Sequence, residues 1–165
     1  MSGEVKGITV FDQIGGLPVH VLVIHAAVVF VPLLAVGAVV YATARRWRAQ
    51  IGWAVSALAV VAPITAFMAT VSGKELYDRL ITNGVSGTGK ERLDTHLNFG
   101  TWTSWLTLAL AVVALMMVVL TRRRAGLPRP LEIGFVAGTV VLSVVTGYYV
   151  FQTGDSGAQA VWGTY

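Results

Sequence analysis

The chain has 165 residues, 55% of them hydrophobic and 12% charged, with a net charge of +4. Soluble domains carry about 25% charged residues, so a fully water-exposed surface is excluded, and the length suits one domain. The absence of cysteine excludes disulfides, iron–sulfur clusters and thiolate metal sites within this chain. The arginines cluster beside apolar runs, a pattern of membrane topology rather than of nucleic-acid binding.

Crossing about 30 Å of hydrocarbon takes about 20 helical residues. Four stretches meet that length, at 17–41, 50–72, 97–121 and 131–152, and the one charge among them is Glu132 at an edge. The expected fold is therefore an all-α integral membrane protein, a four-helix transmembrane bundle in which residues 1–165 form a single transmembrane domain.

Span one carries two histidines, His20 and His25, and an internal Pro32. Five residues separate the histidines, so they point about 140° apart around a helix and differ by about 7–8 Å in depth. At most one of them can share a ligand with a third group. The span ends in Arg45, Arg46 and Arg48, which argues against a cleaved signal peptide. Span two is alanine-rich (Ala54, Ala57, Ala59, Ala62), which suits close helix contact, and contains Pro63, expected to kink its helix. It ends at Ser72-Gly73.

Residues 73–96 read as a long loop with balanced charges. Within it, 74–81 has Leu76, Leu80 and Ile81 opposed to charges, consistent with a surface-lying amphipathic turn or with a continuation of span two. The stretch Gly84-Val-Ser-Gly-Thr-Gly-Lys90-Glu91 approaches a phosphate-binding loop. It has glutamate where a hydroxyl must hold magnesium, and no strand–helix unit surrounds it.

Span three opens beside His96 and ends in Arg122, Arg123 and Arg124. The two short arginine-rich connections face the cytoplasm by the positive-inside rule, which puts both termini and the 73–96 loop outside. These arginines either bind anionic lipids or only set topology. Span four carries Gly134-x-x-x-Gly138, a helix-packing signature. The tail 153–165 is short, glycine-punctuated and aromatic. It is expected to be ordered against the outer helix ends, with Asp155 finding a hydrogen-bonding or charged partner there, His96 or His20 being the first candidates. The hairpins suggest a two-plus-two repeat in which Ser72-Gly73 corresponds to Thr153-Gly154, though two membrane hairpins can also be alike by chance.

Ionisable residues inside spans mark functional hypotheses. Two histidines on neighbouring helices can ligate haem b, can bind a metal if Asp94, Glu75 or Asp155 joins them, or can simply hydrogen-bond at headgroup level. No histidine spacing matches a metal-ligand signature, and Ser72, Ser86 and Ser156 show no sequence relation to a histidine. No catalytic residue is expected.

The opening 16–25, GLPVHVLVIH, and the ending 154–163, GDSGAQAVWG, resemble a family of small bacterial membrane proteins, domain of unknown function 2231, in its actinobacterial branch. The resemblance covers nearly the whole chain. It implies four helices, a plasma-membrane location and redox neighbours, since some relatives are joined to iron–sulfur domains. A histidine that follows span four in much of the family is replaced here by the region of Asp155 and Trp162. Two functions follow as expectations. The first is a non-catalytic accessory subunit of a bacterial respiratory (cytochrome) complex, which would dock partners through Gly134, Gly138, Asp155 and Trp162. The alternative is a small haem b- or metal-binding redox protein using His25 and His96, with His20 as a further candidate.

Overall fold

The computed structural model describes residues 13–14, 17–123 and 128–163. Two short strands, β1 (Gln13–Ile14) and β2 (Leu17–Pro18), pair antiparallel ahead of the helices. Four helices follow: α1 (Val19–Thr43), α2 (Arg48–Thr82), α3 (Thr88–Arg123) and α4 (Arg129–Trp162), with a single 3-10 turn at Arg45–Trp47 between the first two. All four are long and apolar enough to cross a membrane. Neighbours in sequence pack most extensively, α1 with α4 closes the ring, and α1 and α3 touch along the diagonal.

The distribution of apolar groups is that of a lipid-embedded bundle. Large apolar side chains such as Val28, Val36, Ile64, Val141, Val144 and Phe151 are exposed on the outside, forming surface that a soluble monomer would not leave in water. With no hydrophobic drive between helices in lipid, close packing must hold them together. The core accordingly combines Leu34, Leu110, Val31, Val55 and Met117 with alanines 38, 42, 59, 62, 66, 111 and 114. Of the alanines noted in span two, Ala59 and Ala62 are buried and Ala57 faces outward. Helices α1 and α2 continue past Pro32 and Pro63, each of which lacks the N–H of one ladder bond.

The 73–96 segment is mostly not a loop. Helix α2 continues to Thr82 and α3 begins at Thr88, leaving only a tight turn in which Gly84 and Gly87 adopt positive φ. The charges there interrupt the apolar run without interrupting the helix. The 74–81 stretch is thus a continuation of α2. At about 1.5 Å per residue, helices of 35 and 36 residues span about 50 Å, so α2 and α3 extend well beyond the hydrocarbon. The tail is ordered as helix through Trp162, where Arg92 donates to the Gln159 carbonyl; Thr164 and Tyr165 lie outside the described residues.

At the opposite end, Glu132 is buried between Arg45 and Arg48, accepting from both guanidinium groups. Arg48 also donates to the carbonyls of Tyr41 and Ala42. One carboxylate thereby ties the start of α4 to the α1–α2 connection.

Candidate functional site

The four helices bring His20 and His96 together at the end of the bundle opposite Arg45, Arg48 and Glu132. Their ring centres lie 6.4 Å apart, with ring planes at 79°. His20 is the second residue of α1, and His96 stands two turns into α3. His25 is not part of this arrangement: it lies exposed on α1, with its Nδ1 on the Val21 carbonyl of its own helix. The 140° between the two histidines allows one of them to meet His96, and packing selects His20.

Each histidine is held by the other helix of its own hairpin, in the same way. His20 Nδ1 lies 3.0 Å from the Ala69 carbonyl and 3.3 Å from Ser72 Oγ on α2. His96 Nδ1 lies 3.0 Å from the Thr153 carbonyl and 3.2 Å from Ser156 Oγ on α4. A glycine follows each serine, and its missing Cβ makes room for the ring. A Cβ on Gly73 would stand 3.0 Å from His20 Cε1, and one on Gly157 would stand 2.9 Å from His96 Cε1. The sequence repeat is therefore Ala69-x-x-Ser72-Gly73 matched to Thr153-x-x-Ser156-Gly157. The correspondence with Thr153-Gly154 is one helical turn out of register.

These contacts fix the tautomers. A backbone carbonyl only accepts, so each Nδ1 must carry the proton and donate it. Ser72 Oγ sends its own proton to Met68 or Ala69, and Ser156 Oγ to Thr153. The serines are therefore not activated by histidine, although each adjoins one, and the pairs are not nucleophile–base pairs. In the neutral imidazoles Nε2 is left with its lone pair. An Nδ1–H bonded to a carbonyl behind a free Nε2 is how proteins orient histidine as a metal ligand. Two imidazoles in line on one ion, with metal–nitrogen bonds of about 2.0–2.1 Å, would have ring centres about 6 Å apart. The observed spacing is of that size.

Among the described residues the expected carboxylates do not join the pair. Asp155, expected beside a histidine, accepts instead from Gln159 Nε2 one turn along α4. Asp94 is bonded to Tyr77 and Lys90, and Glu75 is exposed. Among the described residues no group of three or more potential side-chain ligands of these types comes together.

The remaining candidates are distributed elsewhere. A Cβ on Gly134 or Gly138 would meet nothing within 4 Å, so these two glycines are not closely packed by the described residues, and Trp162 is exposed at the helix end. Arg46 lies over the Trp47 ring, and Arg122 packs beside Gly52. Arg45 and Arg48 engage Glu132; Arg124 lies outside the described residues, and the Arg123 side chain is likewise outside them. The serine–glycine cradles were visible as residues but not as partners of the histidines, because their spacing from His20 and His96 differs between the hairpins.

The cradle gives a direct expectation. Gly157→Ala forces the His96 ring away from α4 and is expected to lower stability by about 1–3 kcal/mol, the cost of overpacking. Thermal unfolding in detergent, followed by circular dichroism, checks this. Gly154→Ala, where a Cβ meets nothing within 4 Å, should leave the transition unmoved.

Comparison with curated proteins and with solved structures returned no match. The family profile described as "Predicted membrane protein (DUF2231)" matches residues 16–164. The chain is a multi-pass membrane protein, and it belongs to this family.

Proposed function

We propose that this protein is a small redox subunit of a bacterial plasma-membrane respiratory assembly, with His20 and His96 as axial ligands to haem iron. The observation that carries the reading is the pair of carbonyl-oriented imidazoles with centres 6.4 Å apart. A bare ion would have only these two side chains, whereas haem supplies four equatorial nitrogens itself and takes its axial ligands from the protein. The chain's part is to hold two neutral imidazoles in fixed tautomers and to keep the iron near one membrane face. By the distribution of arginines that face is the outer one. The open Gly134–Gly138 face of α4 supports association with a partner helix, so the accessory-subunit expectation and the redox reading combine.

The test is a visible absorption spectrum of the protein purified in mild detergent, with metal analysis. A Soret band and stoichiometric iron are expected. Another metal in stoichiometric amount without a Soret band would replace haem by a single ion. Neither would sink the redox reading and leave an accessory subunit without a cofactor. Native gels with mass spectrometry test the assembly separately: migration alone, with no copurifying membrane protein, overturns that part.

A further inference from the structure

Beyond the histidine pair, the buried polar groups form a seam along the bundle. Helix α4 turns a polar stripe inward, burying Glu132, Thr139, Ser143, Thr146 and Ser156. Serine and threonine in membrane helices ordinarily return their hydroxyl proton to a carbonyl one turn back. Thr107 does so, and Thr103 and Thr153 each have such a carbonyl within reach. Thr139 and Thr146 do not. They are 1% and 0% exposed, and neither hydroxyl has a hydrogen-bond partner among the described residues. A buried hydroxyl without a partner is costly, and bound water is the usual remedy.

These two hydroxyls lie on a path with polar groups at both ends. Towards the histidines, Thr103 and Thr153 share a hydrogen bond of 2.9 Å between α3 and α4, and Ser156 links that point to His96. The antiparallel register set by Thr103 opposite Thr153 places the fully buried Thr107 between this pair and Thr146. Ser143 stands between Thr146 and Thr139 on the same stripe and donates to the Ala35 carbonyl of α1. Below Thr139, the same register puts Thr121 level with residue 135. Its hydroxyl is bonded at 2.7 Å to that of Tyr41, and Arg48, on the Tyr41 carbonyl, leads to Glu132. Polar oxygens thus recur about once per helical turn or two from one end of the bundle to the other.

We propose that this seam holds a file of water anchored on Thr139 and Thr146 and conducts protons between the histidine pair and the Glu132 end. Each water accepts a proton on an oxygen lone pair from one side and releases one of its own to the next, and a hydroxyl whose proton rests on a backbone carbonyl takes part by turning that proton into the file. No electron moves and no bond to carbon changes. The inference does not depend on anything being bound to the histidines.

The experiment uses the full chain in phosphatidylcholine vesicles containing a pH-sensitive dye, with a potassium diffusion potential set by valinomycin. Wild-type protein is expected to raise proton entry several-fold above protein-free vesicles. T139V/T146V, which keeps the side-chain shape and removes both hydroxyls, should return it to the protein-free rate, and T139S/T146S should retain it. S143A supplies a second lesion in the same stripe and is expected to slow entry. Circular dichroism and gel filtration identify variants that have not folded. Wild-type flux equal to that of protein-free vesicles overturns the proposal, and so does unchanged flux in folded T139V/T146V. Because the readout is flux, its failure is distinct from a missing absorption band.

Discussion

On the proposed haem-binding reading, replacing either His20 or His96 by alanine is expected to abolish the visible haem band, while replacing His25 by alanine leaves it intact. The effect is expected to be all-or-none in kind, because the reading assigns one ligand to each of the two rings, whose centres lie 6.4 Å apart. Loss of one axial nitrogen changes the ligand field even where haem is retained. His25 is the internal control: it shares α1 with His20, but its Nδ1 is taken by the Val21 carbonyl and its ring is exposed. Ser72→Ala and Ser156→Ala test the orienting contacts in a graded way, since each leaves the main carbonyl acceptor in place. Spectra of the three alanine variants beside wild type decide the matter. A band that survives His20→Ala unchanged removes His20 from the site.

Glu132→Ala is expected to cost about 3 kcal/mol of stability, at the lower end of the range for breaking a buried ion pair from one side. The carboxylate is 10% exposed and faces two guanidinium groups, of which Arg48 is 16% exposed and Arg45 is 71% exposed. Removing the carboxylate leaves Arg48 enclosed with, among the described residues, the Tyr41 and Ala42 carbonyls as its acceptors. Arg45 can turn to water, so Arg45→Ala should cost about 0–1 kcal/mol, as an exposed pair does. Unfolding by titration with a denaturing detergent measures both. Equal losses in the two variants, or a neutral Glu132→Ala, would show that the buried carboxylate is not the fastening point between α4 and the α1–α2 connection.

The spans were legible because hydropathy measures transfer into lipid directly, and each apolar run lies inside a helix except for Leu17 and Pro18, which open the first run as a strand. Helix ends were not, because a charge ends an apolar run without ending a helix. Lys74 and Asp78, or Glu75 and Arg79, stand four apart, and such spacing favours a solvent-exposed helix; it was the signal available for α2 reaching Thr82. The histidine pair was half legible. Depth along the spans put His20 and His96 at one level, and the five-residue spacing showed that only one of His20 and His25 could meet His96. Choosing between them requires the rotation of α1. A helix apolar on every side gives no stripe from which to read that rotation. Asp155 was misplaced for a related reason: α4 continues past the expected end of span four, which turns Asp155 towards Gln159 instead of towards the rings.

The matched cradles also bear on the order in which the site is made. His20 and the Ser72-Gly73 turn that seats it belong to the first hairpin; His96 and Ser156-Gly157 belong to the second. Each half can therefore orient its own imidazole before the halves meet, and synthesis delivers the first hairpin to the membrane earlier. The two rings come within 6.4 Å of each other, centre to centre, only when α3 and α4 close against α1 and α2. A group bound by both rings would then bridge the diagonal where α1 and α3 otherwise touch little, so that occupancy favours the closed bundle by mass action.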